Sequence, residues 1–217
     1  NFSTGLSGLA KRINEIILHQ DKYFIATDDG VYRYSENLAS WEAANSGLPQ
    51  HCYTILSYDT ILITGTISGV YRSTNEGLSW SFAGNGLPSG TIHALASNSG
   101  TIFTGIDGIV YKSNDAGDNW FAVPNGLPGD FNRIYSLYAD TGLLLAGFRA
   151  LGIYKSSNEG NEWFLSSNGI ANVSVYGPFI IAGITCGQAL LETGYIDPWM
   201  TATTGKKLRP QFSLPPM

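Results

Sequence analysis

The sequence predicts an all-β fold made of repeated four-stranded antiparallel sheets, and three observations carry that prediction. The octet SNDAGDNW at 113–120 returns in register as STNEGLSW at 73–80 and SSNEGNEW at 156–163, with a shorter relative, SENLASW, at 35–41. The tryptophans that close these segments, Trp41, Trp80, Trp120 and Trp163, stand 39, 40 and 43 residues apart. Gly-Leu-Pro recurs at 47–49, 86–88 and 126–128, with Gly5-Leu6 and Gly169-Ile170 as end variants. A whole register of about forty residues that repeats marks a stacked array of one supersecondary unit.

Within a unit the elements follow in order. The third unit reads TIHALA (91–96), TIFTG (101–105), IVYKS (109–113) and NWFAV (119–123), each short and rich in β-branched and aromatic residues, as strands are. Asn-Ser-Gly at 98–100, Asp-Gly at 107–108, the octet, and Asn-Gly-Leu-Pro at 125–128 separate them with turn chemistry. The second and third runs are apolar on both sides, as in sheets buried between neighbouring sheets. Four antiparallel strands in about forty residues make one blade of a β-propeller. The units fall at 5–46, 47–85, 86–125 and 126–168, with a fifth at 169–200 completed by 1–4 and an irregular tail at 201–217. That gives about five blades, or a fragment of a larger propeller whose open sheet edges would favour association.

The octets resemble the Asp-box, or bacterial neuraminidase repeat, Ser-x-Asp-x-Gly-x-x-Trp. Ser113, Asp115, Gly117 and Trp120 match every defined position; Ser73, Asn75, Gly77, Trp80 and Ser156, Asn158, Gly160, Trp163 keep the pattern with Asn in place of Asp. The resemblance, which covers roughly 5–170, is to a repeat found in sialidases, xyloglucan-cleaving glycosidases, sortilin-type receptors and photosystem II stability and assembly factors. It implies that the octet is the hairpin between the third and fourth strands, with its carboxylate or amide accepting backbone N–H bonds and Trp packing between sheets. On that reading the octets are structural and hold no metal.

A residue present in every unit serves the unit. Tyr32, Tyr71, Tyr111 and Tyr154, and the cations Arg33, Arg72, Lys112 and Lys155 after them, are explained in this way as packing and hairpin charges. A ligand site requires residues that break the repeat, and the rim opposite the octets carries several: Asp28, Asp29, Gln50, His51, Asp107, Asp130, Phe131, Phe148 and Arg149. His51, Asp107, Asp130 and Arg149 are the candidate ligand-binding residues, whereas His19 and His93 read as core or edge histidines.

No catalytic residue is assigned. A sialidase-type site requires an arginine triad with Tyr, Glu and Asp partners, and the chain has six arginines, two of them explained by the repeat. Paired carboxylates at a defined separation are the other glycosidase requirement, and Asp107 with Asp130 is the pair to examine. Walker, His-Glu-x-x-His, Gly-x-Ser-x-Gly and Cys-x-x-Cys patterns are absent from the sequence. No cofactor is expected. A net charge of −5 without a basic cluster beyond Lys206-Lys207 argues against nucleic acid, and no apolar run reaches the roughly 18 residues of a membrane helix. Cys52 and Cys186 lie in different units, and their pairing stays open. The expected function is therefore a non-catalytic binding or assembly module for a protein or glycan, outside the cytoplasm; the alternative is a glycoside hydrolase, sialidase-like or xyloglucanase-like, or part of one.

Overall fold

The computed structural model describes residues 3–129 and 132–167. They form sixteen strands in four sheets of four, each sheet a simple antiparallel meander. After a short 3-10 turn at Gly8–Lys11, the first sheet comprises β1 (Ile13–His19), β2 (Lys22–Thr27), β3 (Gly30–Ser35) and β4 (Ser40–Ala43). The second comprises β5 (Cys52–Tyr58), β6 (Ile61–Thr66), β7 (Gly69–Ser73) and β8 (Ser81–Phe82). The third holds β9 (Leu95–Asn98), β10 (Thr101–Ile106), β11 (Ile109–Ser113) and β12 (Phe121–Ala122), and the fourth β13 (Ile134–Asp140), β14 (Leu143–Phe148), β15 (Gly152–Ser156) and β16 (Phe164–Leu165).

Consecutive sheets contact one another mainly through their first strands, β1 to β5, β5 to β9 and β9 to β13, so these strands are innermost and β4, β8, β12 and β16 outermost. The second strands are the most buried: every residue of β10 is buried, which explains their unbroken apolar character. Two expectations shift. The first run of the third unit pairs only from Leu95, and the outer strands of units two to four are two residues long, because the tryptophan before each turns inward.

One interface recurs between neighbouring sheets. Phe24, Ala26, Val31 and Ala44 of the first sheet pack on Cys52, Ile55, Leu62 and Trp80 of the second. Ile63, Val70 and Ala83 then meet Ile92, Leu95, Ile102 and Trp120, and Phe103, Val110 and Val123 meet Ile134, Leu144 and Trp163. The indole N–H of Trp80 donates to the Ala44 carbonyl (2.8 Å), Trp120 to Ala83 (2.8 Å) and Trp163 to Val123 (3.1 Å). Each tryptophan thus fills the gap and satisfies a carbonyl of the preceding sheet. Gly47, Gly86 and Gly126 sit at φ near +89° against the backbone of the next tryptophan, where a Cβ would strike its carbonyl oxygen. That is why the Gly of Gly-Leu-Pro recurs.

The octets close the β7–β8, β11–β12 and β15–β16 hairpins. Ser113 Oγ accepts from the Gly117 N–H (2.9 Å) and donates to Asp115 Oδ1 (2.8 Å), which also accepts from the Asn119 N–H (2.8 Å). Asn75 and Asn158 make the same bonds through Oδ1, from the Ser79 and Glu162 N–H groups. An amide serves because the role is that of an acceptor.

Candidate functional site

Because strand direction alternates, the octets share one rim, and the β2–β3-type turns share the other with the entries to the inner strands. On this second rim each turn is built locally. Thr27 Oγ1 donates to the Gly30 carbonyl (2.9 Å) and accepts from the Asp29 N–H (3.1 Å); Thr66 does the same with Gly69 and Ser68. Asp29 accepts from the Tyr32 hydroxyl (2.8 Å). Burial first, then this carboxylate, pushes the Tyr32 phenol up to about 12. Asp29 is therefore committed to its turn.

The inner strands carry the distinctive feature. β1, β5 and β13 each contain a bulge, between Ile13 and Glu15, Cys52 and Thr54, and Ile134 and Ser136. The extra residues are Asn14, Tyr53 and Tyr135, and the corresponding residue ahead of β9 is His93. A bulge releases one side chain from the ladder and re-aims it. Two of the released side chains, Tyr53 and Tyr135, join His51 and His93 in a row across three sheets. His51 stacks on Tyr53 (centroids 6.4 Å, 16°), Tyr53 meets His93 (4.7 Å, 55°), and His93 meets Tyr135 (4.9 Å, 33°).

The electrostatics of the row are asymmetric. Burial, with the Arg133 guanidinium adding to it, pushes His93 down to about 4, so its ring is neutral near pH 7. Its Nε2 is buried and has no hydrogen-bond partner. At the other end Asn14 Nδ2 donates to Asp28 Oδ1 (3.1 Å) and to the Cys52 carbonyl (2.9 Å), while Arg12 pairs with Asp28 Oδ2 at 3.4 Å. Glu15, next to Asn14, turns into the sheet interface, where its Oε2 accepts from Thr54 Oγ1 (2.6 Å) and the Ile55 N–H (2.8 Å). Burial raises its pKa against the opposing pull of those two bonds.

His51 belongs to this row, half-buried, with φ +61° and its N–H donating to the Asp28 carbonyl (3.3 Å). Asp107 lies exposed at φ +47° in the β10–β11 turn, and Arg149 is exposed in the β14–β15 turn with its N–H on the Arg133 carbonyl (3.4 Å). Among the described residues no hydrogen bond or ion pair joins His51, Asp107 and Arg149 to one another. Asp130 and Phe131 lie outside the described residues, so the Asp107–Asp130 pair does too. Phe148 is no rim residue: it is fully buried in the third interface, packed edge-on against Tyr154 (5.1 Å). His93, read from the sequence as a core or edge histidine, is half-buried just ahead of β9 at the centre of the ring row, its buried Nε2 without a hydrogen-bond partner. Tyr53 and Tyr135 were missed, although a repeat position occupied by Asn, Tyr, His and Tyr is itself the signal: constant place, varying polar ring or amide.

The octet rim has a different character. Both oxygens of Asp115 already accept bonds from Asn119, and among the described residues no three His, Cys, Asp or Glu side chains converge as metal ligands would. Arg72 reaches across to the next octet, donating to the Ala116 carbonyl (3.1 Å) and pairing with Asp118 at 2.7 Å, and Lys22 pairs with Glu76. These cations tie sheet to sheet.

Sheets of four antiparallel strands set side by side, inner edge to inner edge, define a β-propeller, and solved structures agree. The chain is similar to the extracellular domain of a putative one-component system from B. thetaiotaomicron (16% identity, TM-score 0.65, 79% of this chain and 24% of that one). It is also similar to an ancestral GH74 enzyme (19%, 0.59, 75% and 24%) and to the computationally designed Ika4 protein (12%, 0.56, 71% and 95%). The chain thus spans about a quarter of the length of the first two. No family model matches it, and no curated protein does. At these identities the likeness establishes the fold alone. Among the described residues no helix is long and apolar enough to cross a membrane.

Proposed function

We propose that this propeller is a non-catalytic binding module that takes a protein or glycan ligand on the rim opposite the octets. The row His51, Tyr53, His93 and Tyr135 carries this reading. Half-buried rings supply apolar area at low entropic cost, and a buried ring nitrogen without a partner is a group that a ligand can satisfy. Asp107 and Arg149, exposed in turns of the same rim, are the charges proposed to orient the ligand, with Asp130, which lies outside the described residues. The carboxylates next to the row do not act as an acid/base pair: Glu15 is bonded into the sheet interface and Asp28 is held by Arg12 and Asn14. The resemblance of the octets to the Asp-box repeat and the extracellular setting of one structural neighbour support a place outside the cytoplasm.

The test is a glycan array and a displayed-peptide library probed with the wild-type chain and with Tyr53→Ala, His93→Ala and Tyr135→Ala. Loss of a retained ligand by about tenfold or more per substitution supports the reading, as expected for central aromatic contacts. Binding indifferent to all three would refute it. Turnover of fluorogenic sialosides or β-glucans, abolished by Asp107→Asn, would replace it with the hydrolase alternative.

A further inference from the structure

We infer that Arg133 and Arg149 form an anion seat at one end of the ring row, and that the ligand is a peptide whose carboxylate lies between the two guanidinium groups. The inference rests on this rim being the binding face, as proposed above. Ile134 pairs with Phe148, and one step further out the Arg149 N–H donates to the Arg133 carbonyl (3.4 Å). Residues directly opposite on antiparallel strands project to the same side, with Cβ atoms about 4.5–5.5 Å apart, and like charges so placed are destabilising. Both arginines are exposed, and among the described residues no carboxylate pairs with either. The other sheets mark this pair as a departure. The same step sets Arg12 opposite Asp28 in the first sheet, joined at 3.4 Å, and His51 opposite Ile67 in the second. In the third sheet the two places belong to Thr91 and Asp107. Two like charges meet in the fourth alone. An anion supplied from outside offsets their repulsion, and a carboxylate matches the planar guanidinium fork.

The seat adjoins the rings. Arg133 stands two residues before Tyr135, the last ring of the row, and its charge acts on His93, the ring before that. Toward the first sheet the rim turns acidic and its charges are spent: Asp28 is held by Arg12, and Asp29 accepts from the Tyr32 hydroxyl. A polyanion laid along the row would bring further negative charge against these carboxylates, so the ligand carries its charge at one point. The body of the ligand is apolar rather than hydroxylated. The amides at the two ends of the row, Asn14 and Asn132, already donate to the Cys52 and Gly129 carbonyls, which leaves aromatic rings as the main contact surface. A peptide with one Asp, Glu or terminal carboxylate beside apolar side chains meets both conditions.

N-acetyl-leucyl-tyrosine and its C-terminal amide, titrated into the 217-residue chain and followed by nitrogen-15 NMR, test the seat. The acid is expected to bind at least about tenfold more tightly than the amide, with the preference shrinking as sodium chloride is raised. Arg133→Gln and Arg149→Gln are expected to erase that preference. Arg149→Asp, which recreates the charge pair of Arg12 and Asp28, is expected to reverse it while melting above the wild type, so the change cannot be ascribed to unfolding. N-acetyl-leucyl-glutamate amide preferred over its glutamine counterpart would support the same seat reached by a side chain. Acid and amide bound equally, and weakened alike by Tyr135→Ala, would overturn the anion seat and leave the ring row standing. Binding of neither at millimolar concentration would overturn both. Sialyllactose bound in place of the peptide acids would transfer the seat to an acidic glycan and overturn the peptide assignment.

Discussion

Truncating Trp120 to Ala tests the mechanical core of this fold. The side chain is 3% exposed, lies among Ile63, Val70, Ala83, Ile92 and Ile102, and donates its indole N–H to the Ala83 carbonyl at 2.8 Å. Removing a buried Trp ring costs ~3–5 kcal/mol in lost transfer and cavity terms. Trp120→Phe separates the contributions, because it keeps most of the ring but orphans the carbonyl, at a cost of about 1–3 kcal/mol. Urea unfolding followed by far-ultraviolet circular dichroism avoids reading out through the deleted fluorophore. The expected order is wild type, then Phe, then Ala, and Trp80→Ala and Trp163→Ala should repeat it, since all three indoles make the same bond. A Trp120→Ala loss under about 1 kcal/mol would refute the view that the octet exists to seat this ring. In the same assay Asp115→Asn is expected to stay within about 0.5 kcal/mol at neutral pH, as two octets already carry Asn, and chelators are expected to leave the midpoint in place.

Other outcomes follow from the titrating groups and the junction glycines. Glu15 binds its proton more tightly when folded, so its contribution is fully present below the unfolded carboxyl pKa and lost as pH rises through the raised folded value. Glu15→Gln keeps an acceptor for Thr54 and Ile55 without the buried charge; its melting temperature should equal or exceed the wild type at pH 7, with the advantage vanishing near pH 4. Asp115 has the opposite sign: its hydrogen bonds, those from Asn119 foremost, hold its pKa down, so its contribution is present above the unfolded carboxyl pKa and lost as pH falls through the folded one. The Asp115→Asn chain should therefore lose less stability on acidification than the wild type, as read from melting curves. Burial pushes the Cys52 thiol up to about 11, and thiol titration with a chromogenic disulfide should find it inert until urea unfolds the chain. Gly86→Ala should lower the urea midpoint markedly, because φ is +89° and the new Cβ would meet the Trp120 carbonyl; an unchanged midpoint would show that the junction can relax.

Much of the fold was readable from the chain because a repeat tests itself. One Ser-Asn-Asp-Ala-Gly-Asp-Asn-Trp could be a metal loop or a turn, but three copies, two of them with Asn in place of Asp, point to what both can do, which is to accept N–H bonds. The same comparison set Gly47, Gly86 and Gly126 apart as structural. It worked less well on the functional rim, where Phe148 looked like a neighbour of Arg149 and turned out to be core. Adjacent residues in a strand end face opposite ways, and only the pairing of Phe148 with Ile134 and Gly152 says which goes in.

Sequence alone determined the four-stranded unit, its period and the place of the octets between third and fourth strands, because these depend on contacts that recur within each unit or between one unit and the next. Tertiary structure decided which side chains meet across units. Tyr53, His93 and Tyr135 are about forty residues apart and become neighbours because bulges on β5 and β13 release the two tyrosines at the height of His93, just ahead of β9, where the sheets converge. The register of a bulge is a property of two paired strands, and the approach of three sheets a property of their packing, so neither is written in any one stretch of chain.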